Sequence, residues 1–378
     1  MRSRRKYVFL GLSITSTWGN GHATTYRGLL KELANRGHEV TFLERDVPWY
    51  ARNREFDRVP YGGIGLYGSL DELQERFTAA VATADVVIVG SYVPEGIAAG
   101  CWACSTARNA TAFYDIDTPV TLAALHRGNC EYLSPSLVRH YQLYLSFTGG
   151  PTLDFIEREL GSPCAQPLYC SVDPKMYYPE RVRNRWDIGY LGTYASDRQP
   201  ALNQLLLDVA RAMPDRAFAV AGPQYPEGTA WPGNVQRIEH LPASEHRNFY
   251  NSQLFTLNLT RRDMLRVGYS PSVRLFEAAA CGVPILTDAW PGLDKFFEPG
   301  SEILPVRSAA DVTSYLQMPR ERRREIGENA RRRTLRFHTA AVRAQELEAY
   351  VEATLDNAAR SRKHSKAVLQ SSASAAFV

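Results

Sequence analysis

The segment SPSVRLFEAAACGVPILTDAWPGLDKFFEPGSEIL, from Ser270 to Leu304, gathers the side chains best suited to holding a phosphorylated ligand. Pro271 with Ser270 or Ser272 opens a helical stretch. The free N–H groups and dipole of such a helix start favour phosphate. Arg274 adds a fixed cation on the first turn, and Glu277, one turn further, is placed to accept from two hydroxyls of a ribose. A second constellation is STWGNGH, from Ser16 to His22. Gly19, Asn20 and Gly21 suit close approach of a ligand to backbone N–H groups, but a dinucleotide fingerprint needs Gly or Ala where this chain has Thr24. His22 is a candidate general base for a hydroxyl, or a cap on the helix that it opens. In FYDIDTP, Asp115 and Asp117 end a strand; Asp117 is the carboxylate that could orient the imidazole, and it equally fits the N-cap of the next helix.

The elements that must carry these residues alternate. An apolar strand from Tyr7 to Ser13 precedes the glycine loop, a helix follows from about Ala23 to Asn35 with Gly37 at its C-cap, and EVTFLE is the second strand. DVVIVG and TAFYDID continue the series. The pattern restarts beyond a junction rich in Pro, Gly and Tyr, with DIGYLGTY, AFAVAGP, VQRIEHLP, LFTLNL and PILTDAW as short apolar runs separated by helical segments. The expected fold class is α/β, two Rossmann-like doubly wound parallel-sheet domains facing a cleft. The expected divisions are 1–165 as the acceptor side, 166–185 as the junction, 186–335 as the donor domain, 336–357 as a helix packing back across the domains, and 358–378 as a disordered tail.

The 378 residues exceed what one core usually supports, and 44% hydrophobic residues provide for two. Six cysteines are too few for a disulfide scaffold, which favours a reducing, cytoplasmic setting. Cys101 and Cys104 have redox-motif spacing without a thioredoxin-like context, so helix packing explains them better. The basic start MRSRRK before an apolar run imitates a secretory signal, but the run is short and no cleavage pattern follows. The net charge of +4 hides an excess of six positive charges between Arg320 and Lys366, which reads as a solvated helix face or as a weak peripheral membrane contact. The spacing of His, Cys and carboxylates predicts no metal site, and no specific nucleic-acid partner is expected.

The Ser270 to Leu304 segment resembles the donor-site signature of GT-B glycosyltransferases, especially the group similar to the spore-maturation protein CgeB. GHATTYRGLLKELANRGHEVTFLER resembles the opening of the same superfamily, and PLYCSVDPKMYYP its interdomain junction. The resemblance implies that Glu277 binds the donor ribose, that Ser272 and Arg274 lie near the diphosphate, that Gly192 and Thr193 approach the phosphates by backbone, and that His240 and Leu241 lie near the nucleobase. His22 matches the histidine base of inverting members, whereas a retaining transfer would lean on Arg261 or Arg274. Many retaining members carry a second glutamate eight residues before the ribose-binding one; here that residue is Tyr269. The implied activity is transfer of a sugar from a nucleotide diphosphate donor, most simply UDP-linked, to an acceptor hydroxyl or similar nucleophile. The acceptor would be a glycan, a lipid-linked sugar, a protein or a small metabolite, with the nucleotide sugar as co-substrate and no cofactor. A hydrolysing nucleotide-sugar epimerase and a non-catalytic nucleotide-sugar-binding protein are the alternatives.

Overall fold

Short runs such as YVFL and VVIV, apolar at successive positions, are what a strand needs when both faces of a parallel sheet are covered. The computed structural model describes residues 4–17 and 21–375, with side chains to residue 360, so Gly19 and Asn20 lie outside the described residues. The chain divides into two units: Met1–Phe147, Pro151–Leu168 and Arg343–Val378 form one, Thr148–Gly150 and Tyr169–Val342 the other.

In the first unit the strands are β1 (Lys6–Gly11), β2 (Glu39–Arg45), β3 (Gly63–Tyr67), β4 (Val86–Gly90), β5 (Ala110–Asp115), β6 (Leu143–Ser146) and β7 (Ala165–Pro167). They lie in the order β3-β2-β1-β4-β5-β6-β7, parallel at every pairing. Side chains alternate across β1: Tyr7 and Phe9 enter one apolar cluster with Leu29, Leu30 and Leu33, while Val8 and Leu10 enter another with Leu73, Ala99 and Ala103. Helices therefore cover both faces. The helix Ala340–Ala375 closes the first cluster with Ala344, Leu347 and Val351. A buried ion pair fixes it: Arg36 Nη2 donates to Glu348 at 2.6 Å, and His38 Nε2 meets the same carboxylate at 2.8 Å. His38 Nδ1 accepts from the Arg5 amide at 3.2 Å, which leaves Nε2 as the donor.

The second unit contains β8 (Trp186–Leu191), β9 (Phe218–Ala221), β10 (Val235–Ile238), β11 (Gln253–Asn258), β12 (Ile285–Thr287) and β13 (Leu304–Pro305), again all parallel, in the order β10-β9-β8-β11-β12-β13. Each sheet reverses its winding once, between β1 and β4 and between β8 and β11. At such points, outside the carboxyl ends, doubly wound sheets hold ligands.

Several elements differ from expectation. β3, β6, β7 and β13 are strands that their short or glycine-interrupted runs did not announce. The final helix runs through residues 358–375, where composition pointed to a disordered tail. Its Ala, Arg, Lys, Gln and Leu are good helix formers, and the segment continues a helix already nucleated. The basic run lies on the helix Arg320–Phe337, where Arg323, Arg331 and Arg333 donate to the carbonyls of Met318, Ala280 and Phe296, and Arg322 and Arg324 pair with Glu325 and Glu328. Among the described residues no helix is long and apolar enough to cross a membrane.

One buried carboxylate shapes the loop after β1. Glu44, with no solvent exposure, accepts from Ser13 Oγ (2.8 Å), Thr15 Oγ1 (2.7 Å), Ile14 N (2.7 Å) and Thr15 N (3.1 Å). Outside it, Glu55 accepts from the Thr17 amide and from Arg27, whose Nε donates to the Ile14 carbonyl at 2.8 Å. Replacing Glu44 with Gln turns an acceptor-only group into one with a misplaced amide donor. Glu44→Gln should destabilise the first unit by about 3 kcal/mol, read as a lowered urea midpoint, because buried charged hydrogen bonds are lost together.

Candidate active site

The helix Val273–Ala280 begins at the second sheet's switch point, with Ser272 as its N-cap; the Ser272 hydroxyl accepts from the Arg274 amide. Arg274 then folds back to the strand ends. Its Nη1 donates to the Leu191 carbonyl at 2.6 Å and its Nη2 to the Leu259 carbonyl at 3.4 Å, so one guanidinium spans the exits of β8 and β11, while Nε donates to Ser272 Oγ at 3.1 Å. Gly192 permits this: a Cβ there would lie 2.7 Å from Arg274 Nη1 and 2.5 Å from the Tyr190 hydroxyl. Gly222, with φ of 136°, packs as closely on the Gly192 carbonyl.

A second arginine, not singled out by its sequence, joins this group. Arg198 is only 7% exposed and donates to the Thr193 carbonyl at 2.7 Å. Burial, and then the neighbouring Arg274 and Arg261, lower its pKa. Arg198 and Arg274 thus bond carbonyls rather than carboxylates, which leaves their positive charge uncompensated by a salt bridge. That is the electrostatics of an anion site. Around it, Tyr225 donates to the Gly192 carbonyl at 3.1 Å, and the Arg237 guanidinium lies 4.4 Å from the Tyr225 ring and 4.8 Å from the Trp231 ring.

Glu277 is buried three residues along the helix from Arg274, and its carboxylate accepts from the hydroxyls of Tyr250 (3.1 Å) and Tyr177. A carboxylate has about four acceptor positions, so these phenols occupy only part of its capacity. Ser270 is buried and accepts from Thr148 at 3.1 Å, a supporting rather than a ligand-facing hydroxyl. Thr193 and Arg261 are exposed at the β8 and β11 exits, and His240 and Leu241 follow β10 on the same edge, with His240 exposed. Tyr269 holds φ of 49° with its ring wedged between Gly150 and Gly292, where added Cβ atoms would come within 2.5 Å and 2.4 Å of it.

In the first unit, His22 opens the helix His22–Asn35 after Gly21, and its ring stacks on Tyr92 at a centroid distance of 5.6 Å. The Tyr92 hydroxyl donates to Asp117 Oδ2 at 3.0 Å. Asp117 stands at the N-cap of the helix Thr118–Arg127, but its side chain makes no capping hydrogen bond. Tyr92 therefore links the two predicted residues. Asp115, fully buried, accepts from Thr121 and Tyr144 at 2.6 Å each. Burial pushes its pKa up to about 6, opposed by those two hydrogen bonds and reinforced by Asp117. Cys104 is pushed up to about 11 by burial, which keeps it a thiol and agrees with a packing role for it, whereas Cys101 is exposed. Among the described residues no three His, Cys, Asp or Glu side chains group as metal ligands.

Tyr92, Arg198 and Glu44 escaped the sequence reading: Tyr92 and Arg198 follow strands without belonging to a motif, and Glu44 is one glutamate near the end of β2. A carboxyl that folds with a pKa near 6, against about 4 when unfolded, favours the folded state below pH 4 and loses that contribution as pH rises to 6. Asp115→Asn should therefore flatten the pH dependence of stability between pH 4 and 6, measured by thermal denaturation across that range.

Residues 198–349 match a family model described as Glycosyl transferase-like. Comparison with curated protein sequences gave no match. Solved structures match over nearly the whole chain. An alpha-glucosyltransferase in complex with UDP-glucose and DNA is 14% identical, with a TM-score of 0.68, covering 92% of this chain and 99% of that one. Anabaena Alr3699/HepE in complex with UDP-glucose is 11% identical, with a TM-score of 0.67, covering 93% and 100%. A protein assigned as a UDP-N-acetylglucosamine 2-epimerase from Listeria monocytogenes is 13% identical, with a TM-score of 0.58, covering 94% and 98%. At such identities these likenesses establish the fold alone. The chain has the GT-B fold, and the stretch that matches the Glycosyl transferase-like family model, residues 198–349, includes the arginine-lined switch point and the helix Val273–Ala280.

Proposed function

We propose that this chain transfers a sugar from a UDP-linked donor to a hydroxyl or similar nucleophile of an acceptor, with donor recognition in the second unit and acceptor activation in the first. The observation that carries the reading is Arg274, which spans the exits of β8 and β11 beside the N-terminus of its own helix, with Arg198 alongside and, among the described residues, no carboxylate in a salt bridge with either. Such a site matches a diphosphate in charge and in donor geometry. The family match favours transfer over epimerisation, and the UDP-sugars named for the similar structures favour uridine as the nucleotide. The motif resemblance supports a CgeB-like subgroup, and the sparse cysteines suit the cytoplasm.

In this reading the backbone of Gly192 and Thr193, the Ser272 helix start, Arg198, Arg261 and Arg274 hold the diphosphate and stabilise the charge that grows on it as the glycosidic bond breaks. Glu277 accepts from the ribose hydroxyls with its remaining acceptor capacity. His240 and Leu241 border the nucleobase. His22 takes the proton of the acceptor nucleophile, and Asp117 stabilises the imidazolium that forms. The first unit offers the acceptor few fixed cations, since Arg27, Arg45 and Arg54 pair with Glu55, Glu95 and Asp46.

A thermal-shift screen with UDP, GDP, dTDP, ADP and CMP tests the donor half. UDP should stabilise the wild-type chain selectively, and Glu277→Ala should weaken UDP binding by about tenfold or more. No shift with any nucleotide at millimolar concentration would overturn the donor site. His22→Ala should leave UDP binding within about twofold of wild type while lowering kcat for transfer at least a hundredfold. Release of free sugar at an unchanged rate with and without acceptors would instead identify a hydrolysing epimerase.

A further inference from the structure

Tyr92 is one of four non-glycine residues with positive φ among the described residues, at 65°. For an aromatic residue this conformation is strained and persists only where surrounding contacts impose it. The contacts that impose it here all concern the acceptor-side residues. One face of the ring stacks on His22 with the planes 26° apart, and the Tyr132 ring lies 4.8 Å away. The hydroxyl donates to Asp117. The Tyr132 hydroxyl meets Thr121 Oγ1 at 2.9 Å, and Thr121 Oγ1 reaches Asp115 at 2.6 Å. The flanking backbone is stitched to the same edge, because the Ser91 amide donates to the Tyr114 carbonyl and Ser91 Oγ accepts from the Ile116 amide.

We infer that Tyr92 is a positioning residue of the acceptor-side site: its ring, itself packed on Tyr132, sets the plane of the His22 imidazole, and its hydroxyl holds Asp117. The inference deepens the proposed function, on which the base role of His22 rests. The other charged groups along this edge are engaged elsewhere: Glu44 holds the loop after β1, Glu55 pairs with Arg27, and Glu95 pairs with Arg45. Tyr92 is also why one loop after β4 can serve two residues that arrive from β1 and β5. A smaller side chain at this position leaves the imidazole without its stacked partner and Asp117 without this donor.

The test uses the full chain without any substrate. Histidine-labelled protein is titrated by NMR, with the His22 signals identified by their loss in His22→Gln. In Tyr92→Phe the ring remains but the donor to Asp117 is gone, so negative charge is less dispersed and the His22 midpoint should rise by about half a pH unit or more. In Tyr92→Leu the upfield ring-current displacement of the His22 signals should vanish as well. A midpoint unchanged or lowered in Tyr92→Phe, or His22 signals unmoved in Tyr92→Leu, would overturn the inference. Both variants are compared only after their thermal unfolding shows a folded chain; Tyr92→Phe, which keeps the ring, secures the test if Tyr92→Leu fails to fold. In transfer assays Tyr92→Phe should lower kcat about tenfold with the donor KM unchanged. A wild-type chain that turns over no nucleotide sugar would sink the transferase reading, while the NMR titration still decides the positioning role.

Discussion

Parallel strands that all end on one edge leave a row of carbonyls and amides there with no strand to pair them, and every feature of the two candidate sites answers that constraint. In the second unit the answer is cationic. Arg274 caps Leu191 and Leu259, Arg198 caps Thr193, and Arg237 caps Val220 and Gly222. Cations satisfied by neutral carbonyls retain their charge. The same bonds that finish the sheet therefore prepare the edge for an anion.

The first unit meets the constraint with acceptors. Glu44 gathers two amides and two hydroxyls of the loop after β1, Glu55 takes the Thr17 amide, and Asp115 takes the hydroxyls of Thr121 and Tyr144. The loops around His22 are thus held by carboxylates, and a neutral hydroxyl, unlike a phosphate, meets no repulsion there. Two sheets of the same strand order acquire opposite chemical character from the side chains that terminate them. Among the described residues, the four left-handed non-glycine residues, Tyr92, Glu95, Gln224 and Tyr269, all lie in these edge loops.

What the sequence disclosed follows from how local each signal is. The strands β1, β2, β4, β8, β9 and β11 were legible because fully buried parallel strands are apolar at successive positions. The start of the helix Val273–Ala280 was legible because Ser272 and Pro271 stand directly before it. Strands β3, β7 and β13 lie at sheet margins, where short runs suffice, and Gly63 and Gly65 broke the pattern of β3. Glu44 looks like any strand-ending glutamate, and its partners lie about thirty positions away. Arg198 sits in the polar stretch SDRQP, where nothing local distinguishes a buried arginine from a solvated one. Tyr92 acquires its meaning only from the meeting of three strand exits, a relation in space that no spacing encodes.

The pairing of Glu348 with Arg36 and His38 ties residues more than 300 positions apart into one unit. Residues 169–342, by contrast, are continuous within the second unit. During synthesis the second unit therefore has its sequence in hand before the first can finish, because Ala344, Leu347 and Val351, which complete one core cluster of the first unit, follow it in the chain. Until they emerge, that face of the first sheet is covered only in part, by Tyr26, Leu29, Leu30 and Leu33 of the helix His22–Asn35. A chain cut just before the helix Ala340–Ala375 keeps every described strand of both sheets yet leaves the first unit's core open, so a late truncation acts on the unit whose strands come earliest.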